Sequence, residues 1–126
     1  MPQTALIAED DAITRTFIEM TMQRQGFVVT AVDSGEKALN QAQNDQYDVI
    51  ITDIMMPGME GIELIAALVE HAPSTKIIAI SSEGMAGHTS CLKLAETVGA
   101  TASIPKPVMP EILIKTLSDI GLKVKR

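Results

Sequence analysis

The sequence predicts an α/β protein: one open, doubly wound parallel sheet of five strands, a (βα)5 unit. Three observations point there. Five short runs of β-branched or small apolar residues recur at Ala5–Ala8, Phe27–Val32, Val49–Thr52, Lys76–Ile80 and Ala102–Ile104, each too short for a helix. A helical pattern lies after each run. No low-complexity segment or Pro/Gly/Ser linker divides the chain. Strict alternation requires crossover connections, and therefore a parallel sheet with helices on both faces. Five strands are too few for an eight-fold barrel.

Each element has a local reason. Asp11 is a suitable N-cap for a first helix that places Ile13, Phe17 and Met20 at i, i+4 and i+7, which predicts that these three form its buried face. Ser34 can cap a second helix carrying Ala38, Leu39 and Ala42. The segment Gly61 to His71 holds Ile62, Ile65, Leu68 and Val69 at helical spacing. Met85 to Val98 is a weaker fourth helix, because Gly84 and Gly87 loosen its start. Pro110 suits a helix N1 position, ahead of Leu113, Leu117 and Ile120 on one face.

Composition excludes several function classes. Hydrophobic residues make up 46% of the 126 and aromatics only 2%, so the core must be aliphatic and filled by Met. A net charge of −6 provides neither the basic face that nucleic acid needs nor one suited to an anionic membrane. The one Cys, Cys91, gives no disulfide framework and no thiolate metal set, which suits the cytosol. No apolar run approaches the ~18 residues of a spanning helix, and the start lacks the pattern of a signal peptide.

The informative residues end the strands. The first run ends in Glu9-Asp10-Asp11, the third in Asp53, the fourth in Ser81-Ser82 and the fifth in Lys106-Pro107. Parallel strands bring these ends to one edge, where open α/β sheets bind ligands. Clustered carboxylates repel one another unless a cation or protons relieve them. Hard oxygen ligands with room for water suit Mg²⁺. Mg²⁺ with an ammonium and a hydroxyl is equipment for phosphoryl transfer, and a carboxylate can itself be the nucleophile. Taken singly, each residue has a plainer reading: an acidic solvated loop, a turn acid at Asp53, a strand-end hydroxyl at Ser81, a surface Lys106. Asp11 reads best as a helix cap. Met55, Met56 and Met59 read as side chains that fill gaps or cover the loop, His71 as a helix C-terminal residue suited to the dipole, and His88 as an exposed residue, neither His with a role.

ALIAEDD, ITDIMMPGMEG, IIAISSEG and SIPKP, in this order and at these separations, resemble the receiver domain of bacterial two-component response regulators, over essentially the whole chain. The resemblance implies a flavodoxin-like sheet of order 2-1-3-4-5. It implies that Asp53 accepts a phosphoryl group. Glu9 and Asp10 would bind Mg²⁺ together with Asp53 and the backbone carbonyl of Met55. Ser81 would be the hydroxyl that moves to the phosphoryl group, and Lys106 the ammonium that pairs with the acceptor and then the phosphate. Met55 and Glu83 would tune phosphoryl lifetime, Pro57-Gly58 would turn the loop, and the Lys106-Pro107 bond would be cis.

Two positions depart from the family pattern. Ser103 stands where an aromatic usually swings inward on activation, and Val108 where another aromatic often follows the Lys-Pro. The chemistry is complete while the usual readout residues are missing.

The expected function is a phospho-acceptor switch. Residues 1–126 form one receiver domain without an output domain, and the location is cytoplasmic. A histidine kinase or histidine phosphotransfer protein donates to Asp53, and output passes through a downstream protein or onward transfer. Neither nucleic acid nor membrane is an expected partner, and the chain catalyses only its own phosphorylation and dephosphorylation. The alternatives are an unphosphorylated receiver-like scaffold and a receiver cut from a larger regulator. A haloacid-dehalogenase-type phosphatase would need a second Asp where Met55 stands. A flavodoxin would need a phosphate-cradling first loop in place of EDDAITR, whose acids repel phosphate.

Overall fold

The computed structural model describes residues 2–55, 61–82 and 89–125, with side chains described for all of these except 89–92. The elements alternate as expected: β1 (Thr4–Ala8), α1 (Ala12–Arg24), β2 (Val28–Val32), α2 (Gly35–Asn44), β3 (Val49–Asp53), α3 (Gly61–His71), β4 (Lys76–Ser81), α4 (Thr89–Val98), β5 (Ala102–Pro105) and α5 (Pro110–Asp119). The strands pair in parallel in the order β2-β1-β3-β4-β5. This is the flavodoxin-like order that the resemblance implies.

The period of two along each strand builds two cores from one sheet. Leu6, Ala8, Ile50, Ile77 and Ala79 pack with Ala38 and Ala42 of α2, Leu64, Ile65 and Leu68 of α3, and Ala95 of α4. Their neighbours Ala5, Ile7, Val49, Ile51, Ile78, Ile80 and Ile104 pack with Ile18 and Met22 of α1 and Leu113 and Leu117 of α5. Each fully buried Ile or Leu contributes about 1.5–3 kcal/mol of transfer free energy. β1 therefore has α1 on one side and α2 on the other, and a crevice opens at its carboxyl end beside β3.

Local signals end the elements. Asp11 accepts from the Thr14 amide at 2.9 Å, and Ser34 accepts from the Lys37 amide at 3.2 Å, so both expected caps form. Pro110 opens α5 behind Met109. Gly61 opens α3 directly against β3's exit, where an added Cβ would fall on the backbone of Ile54. Tyr47 lies just before β3, at the amino edge of the sheet, and donates its hydroxyl to Gln41 Oε1 at 3.1 Å. At that same edge the Gln3 side chain pairs with the Lys123 backbone in both directions, at 2.9 and 3.0 Å.

One expectation fails. Ile13, Phe17 and Met20 are not the buried face of α1: they are 81%, 49% and 45% exposed, while Ile18, Thr21 and Met22 are buried. The helix carries two apolar stripes on roughly opposite sides, and spacing alone does not say which one meets the sheet. Smaller boundary differences follow the packing. Phe27 is buried but precedes β2 rather than starting it, and β4 runs on to Ser81. The expected start of the fourth helix at Met85 lies outside the described residues. Met56, the Pro57-Gly58 turn, Met59, Glu83, Gly84, Gly87 and His88 lie outside the described residues, as does the side chain of Cys91.

Candidate phosphoryl-transfer site

The carboxyl ends of four strands converge on one pocket. Glu9 follows β1 and is fully buried, Asp53 ends β3 at 2% exposure, Ser81 ends β4 fully buried, and Lys106 follows β5. Asp10 is exposed at the rim. One oxygen from each of Glu9, Asp10 and Asp53 lies within 4.8 Å of the other two. Lys106 Nζ donates to Asp53 Oδ2 at 2.7 Å and stands 2.7 Å from Glu9 Oε1. The second contact is an ion pair without hydrogen-bond geometry, which leaves Oε1 without a hydrogen-bond partner among the described residues. The Met55 amide donates to Asp53 Oδ1 at 2.8 Å, so both Asp53 carboxylate oxygens are held, while the Met55 side chain is largely exposed.

The loop after β1 is itself pinned. The Glu9 amide donates to the Val32 carbonyl at 3.1 Å, and the Asp11 amide donates to Glu9 Oε2 at 3.0 Å. Arg15 Nη1 donates to the Glu9 carbonyl oxygen at 2.9 Å. Asp11 points back to cap α1 and does not join the cluster. At the other side of the pocket the Lys106 amide donates to the Ser81 carbonyl at 2.6 Å, ahead of a cis Lys106-Pro107 bond. The Ser81 hydroxyl is buried and has no hydrogen-bond partner among the described residues.

Burial dominates the electrostatics. It pushes the Glu9 carboxyl up to about 7, against Lys106 and the Asp11 amide, which pull it down; the charge of Asp53 adds to the rise. Burial pulls the Lys106 ammonium down, but the hydrogen bond to Asp53 and the close negative charge of Asp53 and Glu9 outweigh it and hold it above its ordinary value. One ammonium does not compensate three carboxylates. Buried oxygen donors, one of them without a hydrogen-bond partner, beside a rim carboxylate open to water match the hard ligand set of a small divalent cation. The expected site residues Glu9, Asp10, Asp53, Ser81 and Lys106 are thus brought together. The sequence reading missed Arg15, whose only signal was a cation one turn into the helix that follows the acidic loop.

A doubly wound sheet whose carboxyl edge gathers carboxylates, a hydroxyl and an ammonium defines an α/β domain built around an acid pocket. The chain belongs to the response regulator receiver domain family, whose model matches residues 5–118. It is 36% identical over 110 residues to a cyclic di-GMP phosphodiesterase of Thermotoga maritima, which covers 87% of this chain and 28% of that protein. It is 26% identical over 125 residues to the sensory/regulatory protein RpfC of Xanthomonas campestris, covering 96% of this chain and 17% of that protein. The chain thus spans under a third of these two relatives. Among solved structures, the chemotaxis response regulator CheY4 of Vibrio cholerae superposes with a TM-score of 0.85 at 31% identity, covering 95% of this chain and 99% of that one. The receiver domain of the Francisella response regulator 1452 gives 0.83 at 28% identity, covering 95% and 96%. Receiver domains are signalling switches rather than conventional enzymes; they bind Mg²⁺ at an acidic pocket and work with histidine kinases or phosphotransfer proteins.

Proposed function

We propose that this chain is a two-component phosphorylation switch in which Asp53 takes a phosphoryl group from a phosphohistidine. The observation that carries the reading is the Lys106 ammonium shared between Asp53 and Glu9, 2.7 Å from each, inside an acid pocket at the edge of the sheet. An Asp53 carboxylate oxygen attacks phosphorus, an O–P bond forms, the N–P bond to the donor imidazole breaks, and the imidazole leaves with the bonding pair. The Met55 amide and Lys106 orient the two Asp53 oxygens. As charge moves from the carboxylate to the phosphoryl oxygens, Lys106 follows it, and Glu9 keeps the ammonium paired throughout. The Ser81 hydroxyl is a donor ready for a phosphoryl oxygen. Glu9, Asp10, Asp53 and the Met55 carbonyl would hold Mg²⁺, which when bound supplies positive charge to the transferring group.

The donor is a histidine kinase or phosphotransfer protein, and we place its docking on the exposed ridge of Ile13, Phe17 and Met20. Ile13 and Phe17 line one apolar groove together with Pro107, the buried Val108, Met109 and Lys106, so a helix lying there comes beside Lys106. The whole chain acts as one receiver domain in the cytoplasm, where such donors work, and no helix among the described residues is long and apolar enough to cross a membrane. Output passes to a downstream protein or by onward transfer. Intact mass after incubation with Mg²⁺ and acetyl phosphate tests the reading. A gain of one phosphoryl group, abolished by Asp53→Asn and labile to base, is expected. Acid-stable label on a Ser or Thr, or none at all, would overturn it.

A further inference from the structure

Asp10 presents a geometric problem. It is exposed at the rim, without the burial that orients Glu9 and Asp53, yet its carboxylate lies within 4.8 Å of both. Orientation must come from the backbone. The Glu9-Asp10 peptide is planar, so whatever fixes the Glu9 carbonyl also fixes the plane in which the chain enters Asp10. That carbonyl is held by Arg15 Nη1 at 2.9 Å, from a half-buried position on α1 six residues further on. The Glu9 amide is held by the Val32 carbonyl, and the Asp11 amide, on the far side of Asp10, by Glu9 Oε2, so the Arg15 bond is the one that acts on the Glu9-Asp10 carbonyl.

We propose that Arg15 is a positioning residue for the cation site: it clamps the Glu9 carbonyl and thereby aims the Asp10 carboxylate into the pocket. The proposal rests on the reading of Glu9, Asp10 and Asp53 as a Mg²⁺ site. Charge and positioning make opposite demands of Arg15. A guanidinium close to a divalent cation repels it, so removing the charge alone would tighten Mg²⁺ binding. Removing the clamp frees Asp10, which must then be ordered by the metal itself, and binding weakens. The sign of one measured change separates the two.

The experiment is calorimetric Mg²⁺ titration of the full chain as wild type, Arg15→Met and Arg15→Lys, with thermal melts in chelator as the folding control. Arg15→Met should weaken Mg²⁺ by about three- to thirtyfold, less than the ~10–100-fold for losing a ligand's outer support because removing the positive charge offsets part of the loss. Arg15→Lys, which keeps the charge and one donor but not the planar fork, should fall between. In metal-free protein, the amide resonances of Asp10 and Asp11 should move in Arg15→Met while those of Ile50 and Ile51 stay. Equal or tighter Mg²⁺ binding by Arg15→Met overturns the proposal. If Arg15→Met does not fold, Arg15→Lys decides: weaker binding supports the clamp and wild-type affinity overturns it. A wild-type chain that takes up no Mg²⁺ overturns the cation reading and this inference with it. A wild type that binds, with variants that bind equally well, overturns this inference alone.

Discussion

The Lys106 ammonium donates to Asp53 Oδ2 at 2.7 Å across 53 positions of sequence, and an oxygen of Glu9 stands at the same distance on its other side. Neither carboxylate owns the cation. Substitution of Lys106 by Met therefore strands two buried acids together. Metal-free stability should drop by about 2–4 kcal/mol at pH 8, a little under the ~3–5 kcal/mol for breaking a fully buried pair because the Lys106 side chain is partly exposed. The loss should shrink toward pH 5 as the pocket takes up a proton. Urea unfolding in chelator at both pH values checks this; a loss independent of pH would count against a purely electrostatic role.

Glu9 makes the metal-free fold pH-dependent in an unusual direction for a carboxylate. Its carboxyl is raised to about 7 from 4.5, so between these values the native state holds a proton that the unfolded chain has released. Stability must then fall as pH rises through this window, with the full penalty present above about 7 and none below about 4.5. Glu9→Gln should remove the penalty: a gain of roughly 1–3 kcal/mol at pH 8 in chelator, and little change at pH 4. Denaturant unfolding at the two pH values decides it. A variant less stable than wild type at pH 8 would refute the sign.

The ridge on α1 should separate docking from chemistry. Phe17→Ala lies outside the acid pocket, so labelling by acetyl phosphate should be unchanged. Transfer from a phosphorylated histidine donor should slow by about tenfold or more, since a truncated aromatic anchor typically costs 1–3 kcal/mol of association. Equal transfer rates for variant and wild type would remove this face from the docking surface.

Ser103 does more than leave room where an aromatic is usual. Its hydroxyl donates to Glu96 Oε2 at 2.5 Å and ties β5 to α4. Beryllofluoride, a phosphoryl mimic, should shift the backbone amides of Asp53 to Met55 and of Ser81 and Ser82 strongly, and those of residues 100–105 weakly. Ser103→Ala, which cuts the tie, should enlarge the second set. A large coherent shift over residues 100–115 in the wild type would show that the site reaches this face by another route.

How far the sequence could be read follows from which facts are local. The apolar run Val49–Thr52 ending in an acid needed only the parallel-sheet rule to place Asp53 at a binding edge, and the same rule gathered Glu9, Ser81 and Lys106. Caps at Asp11 and Ser34 were legible because a cap bonds within three residues of itself. The buried face of α1 was not legible: Ile13, Phe17 and Met20 are as apolar as Ile18 and Met22, and only the tertiary packing distinguishes the stripes. Nor was the bond from Arg15 to the Glu9 carbonyl, since a side chain that acts on backbone leaves no residue-type partner to recognise. The approach of Gly61 to Ile54 was hidden for a similar reason: the sequence shows a glycine but not the backbone pressed against it.

Tyr47, at the edge of the sheet away from the acids, has an optical consequence. The chain contains no Trp and no other Tyr, so its ultraviolet emission reports on the end remote from Asp53. Cation uptake or phosphorylation will leave that emission nearly dark to the event, and a flat titration curve would say nothing about affinity. A local reporter has a natural seat at Met109, 45% exposed and on the same apolar groove as Lys106. Met109→Trp would put the only indole of the molecule beside the ammonium, against an almost silent background.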